Sequence, residues 1–281
     1  MTCINAVSFH QDPCIESICG KVLDAGFDTL ELSRPPFFNQ LTTARTRGRF
    51  VEWAAERGLR LYGFDCWVDV RPYTALEDTL EGFRAAVRFA DDLQLHLLIT
   101  HDPWIKDIKE CSPAQCLCAN IELFRRVADL CANCGLDLVF EPHPDTLSMN
   151  NQWCIDFIDG LDRPNVGLLF DTCHYGVGQP ETYIDSIAEL GRRIRHLHFS
   201  DGDRATYALH LPLGDGDLDM PEIVSALKAV PFRGTITNDL FNYPLLQDGA
   251  HRNAPKIKQL ENELAGAAKA ADGVERPNVP V

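Results

Sequence analysis

The first informative absence in the sequence is that of a membrane-spanning segment. No apolar run approaches the roughly 20 residues that a membrane helix requires, so we expect no contact with a membrane. The amino-terminal residues lack the basic start and apolar run of a secretory signal. The chain has 11 cysteines, an odd number. Together these features predict a cytoplasmic protein with reduced thiols.

Basic residues are scarce relative to acidic ones. The chain has 26 Lys and Arg against 41 Asp and Glu, which gives a formal net charge of −15. Such a surface repels phosphate backbones, so we expect no nucleic acid partner.

Motifs for zinc fingers, redox pairs and dinucleotide binding are incomplete or absent. Cys131 and Cys134 form a single CxxC, and they lie with Cys116 and Cys118 in one predicted helix. Since there is no second CxxC, we interpret these cysteines as small buried helix residues. No glycine-rich phosphate loop follows the first predicted strand, which argues against a dinucleotide-binding fold.

What the sequence does have is a strict alternation of short apolar strands and helices. Strands are predicted at 3–9, 27–32, 59–64, 95–100, 138–140, 166–170, 194–199 and 235–238. Helices are predicted at 14–25, 41–57, 76–92, 114–133, 151–159, 180–190, 221–230 and 252–270. Gly26, Gly58 and Gly135 each end a helix just before a strand, because glycine adopts the left-handed C′ conformation at little cost.

This alternation predicts the α/β class and a parallel sheet. Eight repeats within 281 residues predict a single (β/α)8 TIM barrel, with an open doubly wound sheet as the alternative. No Pro-, Gly- or Ser-rich linker divides the chain, so we predict one domain over residues 1–270 and a flexible tail at 271–281.

Side chains of the kind that bind metals stand at the carboxyl ends of the last four predicted strands. Glu141 follows the fifth strand, Asp171 the sixth, and Asp239 the eighth, while the seventh carries His196 and His198. In a (β/α)8 barrel these strand ends meet in one mouth. Carboxylates gathered there repel one another unless they are protonated or bridged by a cation, although each one taken singly is equally well explained as a solvated strand end.

The donor types also indicate which cation is expected. Carboxylate oxygens with an imidazole nitrogen suit Mn²⁺, Mg²⁺, Co²⁺ or Zn²⁺ and exclude a thiolate-type zinc site. His196 and His198 are two residues apart and share a face of their strand, so one is expected to be the ligand and the other a buried neighbour. Spacing alone does not choose between them.

Further histidines and aromatic residues follow the predicted strands. His143 and His174 come two or three residues after a carboxylate, where they could orient ligands or transfer protons. The remaining candidates for substrate binding are His10, His101, His210, Trp67 and Trp104. The two tryptophans could form a wall for a sugar ring, and ordinary packing is the alternative for each of them.

Four segments, taken in order, resemble the xylose-isomerase-like TIM-barrel superfamily. They are Phe-Glu-Pro-His-Pro at 140–144, Phe-Asp-Thr-Cys-His at 170–174, His-Leu-His-Phe-Ser-Asp at 196–201 and Pro-Leu-Gly-Asp-Gly-Asp-Leu-Asp at 212–219. That superfamily includes sugar-phosphate isomerases and epimerases, dehydratases and the AP-endonuclease 2 type. The resemblance implies a metal site formed by Glu141, Asp171, His198 and Asp239, with His198 preferred over His196.

The resemblance also implies a function. We expect a divalent-metal-dependent isomerase or epimerase that acts on a polyol, a keto-sugar or a cyclitol through an enediolate, with Mn²⁺ as the first choice of metal. Glu141 or His143 would remove the proton next to the carbonyl, and Asp239 or a neighbour would return it. Asp239 departs from the usual Glu by one methylene, which predicts that it binds the metal but puts a direct role in two-base chemistry in question. Related barrels also imply a homo-oligomer.

Three other functions stay open at this point. The run from Glu141 to Leu147 also resembles metal-dependent dehydratases of the 3-dehydroshikimate or inosose type. An AP endonuclease would need a basic cleft, which the charge of −15 disfavours. A non-catalytic ligand-binding barrel is the last alternative, and it is suggested by the aspartate at residue 239 in place of the usual glutamate.

Overall fold

The computed structural model describes residues 1–73, 75–108, 111–230 and 232–273, which contain eight strands in one closed barrel. Each strand pairs in parallel with the next along the chain, and the last closes on the first. The strands are β1 Cys3–Asn5, β2 Thr29–Ser33, β3 Arg60–Asp65, β4 Leu97–Thr100, β5 Asp137–Phe140, β6 Val166–Asp171, β7 Ile194–Phe199 and β8 Thr235–Asn238. This order confirms the predicted (β/α)8 TIM barrel and excludes the doubly wound alternative.

The helices surround the barrel and connect successive strands. They are α1 Ile15–Asp24, α2 Ala44–Glu56, α3 Leu76–Asp92, α4 Pro113–Asn133, α5 Asn151–Leu161, α6 Thr172–Gly178, α7 Tyr183–Leu190, α8 Met220–Ala229 and α9 Leu246–Gly273. A capping box explains why α4 begins where it does. The Ser112 hydroxyl accepts from the backbone N–H of Gln115, whose side chain accepts from the N–H of Ser112. The three glycines predicted to end helices have φ of 91°, 73° and 70°.

Several predicted boundaries were wrong. The strand predicted at 3–9 ends at Asn5, because the Asn5 side chain accepts from Val7 N and starts a 3-10 turn over Ala6–Phe9. Helix α6 was missed, and α9 starts six residues before the predicted 252. Helix α9 also runs to Gly273, so the first part of the predicted tail is helical, and residues 274–281 lie outside the described residues.

The interpretation of the cysteines as buried helix residues holds for only part of the set. Cys116 and Cys131 are buried, whereas Cys118 is exposed and Cys134 is half-buried. Within the described ranges no helix is long and apolar enough to cross a membrane.

Alternation along the strands decides which side chains enter the barrel. Phe140 packs outward against Phe124 of α4 and Phe157 of α5, with ring centroids 4.6 and 4.7 Å away, so the next residue, Glu141, faces the interior. Phe170 stacks outward on Tyr175 at 4.0 Å, and Asp171 therefore also faces inward. A small apolar layer of Leu97, Ile99, Val139 and Leu169 fills the interior beneath these carboxylates.

Candidate metal centre and active site

Three of the four predicted ligands come together at the carboxyl end of the barrel. Glu141, Asp171 and His198 each offer one donor atom, and these atoms all lie within 4.8 Å of one another. All three residues are buried, with Asp171 fully so. His198 Nδ1 lies 3.1 Å from Glu141 Oε1 and 3.7 Å from Asp171 Oδ2, so one point in space is within reach of all three side chains.

The fourth predicted ligand, Asp239, approaches the same group from β8. Its Oδ2 lies 3.7 Å from His198 Nδ1. Its other oxygen, Oδ1, accepts from the Ser8 hydroxyl at 3.2 Å and from Phe241 N at 3.0 Å. These two donors fix the carboxylate, so that Oδ2 points toward the other three side chains.

The donor set fits a divalent cation. Asp171 Oδ2 is buried and has no hydrogen-bond partner among the described residues. Leaving a buried carboxylate oxygen unpaired costs about 1–3 kcal/mol or more, and a cation at this position would satisfy it. Mixed oxygen and nitrogen donors without a thiolate agree with a Mn²⁺-, Mg²⁺-, Co²⁺- or Zn²⁺-type site.

A residue that the sequence reasoning missed, Glu31 of β2, lies directly behind His198. Its Oε1 accepts from His198 Nε2 at 2.8 Å, and its Oε2 accepts from His196 Nε2 at 2.7 Å and from the Thr237 hydroxyl at 3.1 Å. Because Nε2 of His198 carries the proton in this bond, Nδ1 is the nitrogen that would give up its proton and offer a lone pair to a cation, and it faces the carboxylates. One feature of the sequence could have identified Glu31: it lies between two leucines of an apolar strand, so its carboxylate faces the barrel interior.

The same bonds separate the roles of His196 and His198. Both rings face the barrel interior, as their spacing predicts, but His196 lies one layer deeper and its Nδ1 bonds the Thr235 hydroxyl at 2.6 Å. Both nitrogens of His196 are therefore engaged, one with Glu31 and one with Thr235, and neither is available to a cation at the metal site. His198 is the one placed to serve as a ligand.

The charges at the centre shift the pKa values of these groups strongly. Burial alone would raise the pKa of Glu31, but the neighbouring His198 and His196 lower it to about 2. Burial alone would lower the pKa of His198, but the carboxylates of Glu31 and Glu141 raise it well above its usual value. The pKa of Asp239 is raised, chiefly by burial.

His143 and His174 stand beside Glu141 at the mouth. His143 Nε2 is 3.4 Å from Glu141 Oε2, and His174 Nδ1 is 3.7 Å from Glu141 Oε1. His174 Nδ1 also donates to Pro142 O at 3.3 Å. Burial and the adjacent His174 lower the pKa of His143 to about 4, so its ring is neutral at pH 7.

His210 lies beside Asp239 and Asp171. Its Nδ1 lies 3.5 Å from Asp239 Oδ2 and 3.9 Å from Asp171 Oδ2. Although burial opposes it, these two carboxylates raise the pKa of His210 to about 10. The sequence predicted His210 as a candidate for substrate binding, and in the structure it lines the cavity at the mouth.

The carboxylates and histidines open onto a cavity of about 80 Å³. Its outer wall is aromatic and consists of Trp67, Trp104, Tyr207 and Phe241. The predicted candidates His10 and His101 do not line it. His10 is exposed and donates to Val7 O, whereas His101 donates to Asp102 O and packs behind Trp104.

Comparison with known proteins agrees with this architecture. The chain is 26% identical over 239 residues to D-psicose 3-epimerase of Enterocloster bolteae, an alignment that covers 79% of this chain and 75% of that protein. The structure resembles that of an L-ribulose 3-epimerase, with a TM-score of 0.76, 17% identity and 99% of both chains covered. It also resembles the IolI protein with a bound zinc atom, with a TM-score of 0.75, 14% identity and coverage of 96% of this chain and 99% of that one.

Coverage is lower for another relative, a Methanocaldococcus jannaschii protein that is 22% identical and of which the chain spans 61%. The family model for the xylose isomerase-like TIM barrel matches residues 19–279, nearly the whole sequence. The chain therefore belongs to the xylose isomerase-like TIM barrel family.

Proposed function

We propose that this protein is a divalent-metal-dependent epimerase or isomerase of a neutral hydroxycarbonyl compound such as a ketose. The observation that carries the proposal is the convergence of Glu141, Asp171 and His198 within 4.8 Å, beside histidines with free ring nitrogens. The likeness to sugar 3-epimerases supports the same reaction class.

The residues that would hold the cation are Glu141, Asp171, His198 through Nδ1, and Asp239. When bound, the cation would offset the negative charge that develops on a carbonyl oxygen as the adjacent carbon loses its proton. Glu31 fixes the tautomer of His198, and Ser8 fixes Asp239, so both side chains are oriented before any substrate arrives.

We assign removal of the proton to His143. Both of its ring nitrogens are buried without a hydrogen-bond partner in the described part of the chain, and Nε2 faces Glu141. A neutral imidazole at the cavity wall can accept a proton from carbon, and Glu141 then stabilises the positive ring.

Return of the proton is assigned to the pair of Asp239 and His210 on the other side of the cavity. The two side chains are 3.5 Å apart, and both line the cavity. Asp239 Oδ1 is held by Ser8 and Phe241 N, whereas His210 Nδ1 has no hydrogen-bond partner among the described residues, so His210 is the member of the pair with a free group for a substrate carbon. Two groups on opposite sides of one carbon are what inversion of its configuration requires.

The charge of the cavity favours a neutral substrate. Among the described residues that line it there is no lysine or arginine, and three are carboxylates, with Asp171 close by. A substrate carboxylate or phosphate would find no lysine or arginine among these described lining residues and would lie beside carboxylates that repel it. This argues against a 3-dehydroshikimate-type dehydratase and against an AP endonuclease.

The test is solvent isotope exchange. The Mn²⁺-loaded protein is incubated with ketoses in D₂O, and deuterium at the carbon next to the carbonyl is followed by NMR. We expect incorporation with the wild type and at least about 100-fold slower incorporation with His143→Gln, because a general base contributes about 10²–10⁴-fold. Appearance of a conjugated product in the ultraviolet, without exchange into recovered substrate, would instead indicate a dehydratase.

A further inference from the structure

The cavity is small for a sugar-binding site. Its volume of about 80 Å³ is well below the roughly 300–1,000 Å³ of pockets that enclose drug-sized ligands. The bound metal would also take up part of this space. This volume favours a short substrate chain.

Tyr207 is one of the aromatic side chains that line the cavity. It lies in the segment between β7 and α8, and its hydroxyl donates to Asp145 Oδ2 at 2.8 Å across the mouth. Its ring stands edge-on to His174 and His143, with centroids 5.7 and 6.3 Å away. A longer substrate would have to occupy the position of this ring.

The segment that carries Tyr207 is fixed by several further hydrogen bonds. Asp203 Oδ1 accepts from the backbone N–H groups of Ala205 and Thr206. Asn242 donates to Ala208 O at 2.8 Å, and His210 Nε2 donates to Tyr207 O at 3.2 Å. Moving the segment would break this set of bonds, and rotating the ring alone would break its bond to Asp145, so the folded structure holds the ring in this position.

The wall opposite the carboxylates offers few partners for hydroxyl groups. Trp67, Trp104 and Phe241 present mainly carbon to the cavity, and the Trp67 indole N–H already donates to Asp65 at 2.6 Å. Each substrate hydroxyl buried there without a partner would cost about 1–3 kcal/mol. A fully hydroxylated hexulose would place several hydroxyls against this wall.

We infer that the site accepts a neutral hydroxycarbonyl of triose or tetrose length, and that Tyr207 sets this limit. The inference rests on the proposed function for the reaction, but the size limit applies equally to binding. It assigns Tyr207 a role in specificity, since the ring touches the space where the substrate chain would continue.

The test compares dihydroxyacetone, erythrulose and fructose with the full-length, Mn²⁺-loaded protein. Deuterium exchange measures turnover, and calorimetric titration measures binding of the same three compounds. For the wild type we expect kcat/KM for erythrulose to exceed that for fructose by at least about 100-fold, a ratio of the size that steric pockets achieve. Tyr207→Ala should reduce this ratio at least about tenfold, because it removes the ring.

Two variants serve as controls. Tyr207→Phe keeps the ring and should keep the preference for the short substrate, since the other bonds of the segment remain. Tyr243→Phe removes a hydroxyl that accepts from Arg252 outside the cavity, and it should leave the preference unchanged. Circular dichroism establishes that each variant is folded.

Every outcome decides between the two claims. Equal or better use of fructose by the wild type, or an unchanged ratio in folded Tyr207→Ala, would overturn the size limit. If no compound exchanges deuterium while the short ones alone bind, the proposed reaction fails and the size limit stands. If none of the compounds binds, both claims fail.

Discussion

Replacing Glu31 with Gln should weaken metal binding although Glu31 does not reach the metal site. The buried carboxylate accepts from His198 Nε2 at 2.8 Å and His196 Nε2 at 2.7 Å. The Gln amide has only one oxygen acceptor, so its NH₂ group would face one of the two ring N–H groups. Removing a carboxylate behind a metal-binding histidine typically lowers affinity about 10–100-fold, or about 1.4–2.8 kcal/mol.

The assay is calorimetric titration of chelator-treated protein with Mn²⁺ at neutral pH. Glu56→Gln is the matched control, because it makes the same chemical change on α2 at a side chain that is 75% exposed. Urea unfolding in the presence of chelator should also show Glu31→Gln to be less stable by about 1.5–3 kcal/mol, the value of one hydrogen bond to a charged group. An Mn²⁺ affinity within twofold of the wild type would refute the role assigned to Glu31.

Three further changes test other parts of the account. Ser8→Ala removes a donor to Asp239 and should lower Mn²⁺ affinity by about tenfold in the same titration, because the carboxylate loses one of its two hydrogen-bond donors. An unchanged affinity would show that the bond from Phe241 N alone orients Asp239. The pKa of His143 is lowered to about 4, so the neutral ring that accepts a proton predominates above about pH 5. We therefore expect log kcat/KM to begin to fall only below that pH. A fall starting near pH 6.5 would contradict the assignment of proton removal to His143. Gly234→Ala would place a Cβ against the backbone oxygen of Arg195 and should lower stability by at least about 1–3 kcal/mol, whereas Gly266→Ala in α9 has open space and should raise it by about 0.5–1 kcal/mol. Thermal unfolding of both variants measures this difference, and equal melting temperatures would count against the close approach at Gly234.

The sequence was sufficient to predict the features that follow from local pattern. The strict alternation of strands and helices predicted the barrel, and the strands that stop at Glu141 and Asp171 predicted the end of it that carries charge. In the structure each of these carboxylates follows an outward phenylalanine and therefore faces inward. The boundaries of α3 and β7 were also predicted correctly, and α3 has apolar residues at helical spacing along its whole length.

Features that depend on distant partners were missed. The role of Glu31 depends on its hydrogen bonds to His196 and His198, which are 165 and 167 residues away in the chain. Helix α6 escaped prediction because residues 172–178 are few and contain two glycines, and because its first turn is stabilised by the Asp171 side chain, which accepts from His174 N at 2.8 Å. His10 and His101 were selected by their positions after strands, but their rings bond backbone oxygens outside the cavity.

The central claim is that a single divalent cation binds between Glu141, Asp171, His198 and Asp239. Anomalous diffraction from a crystal soaked in Mn²⁺ tests it most directly. The account predicts one strong peak about 2.0–2.3 Å from carboxylate oxygens of Glu141 and Asp171 and from Nδ1 of His198, with Asp239 Oδ2 completing the set. A peak at another group of residues, or none at saturating Mn²⁺, would contradict it.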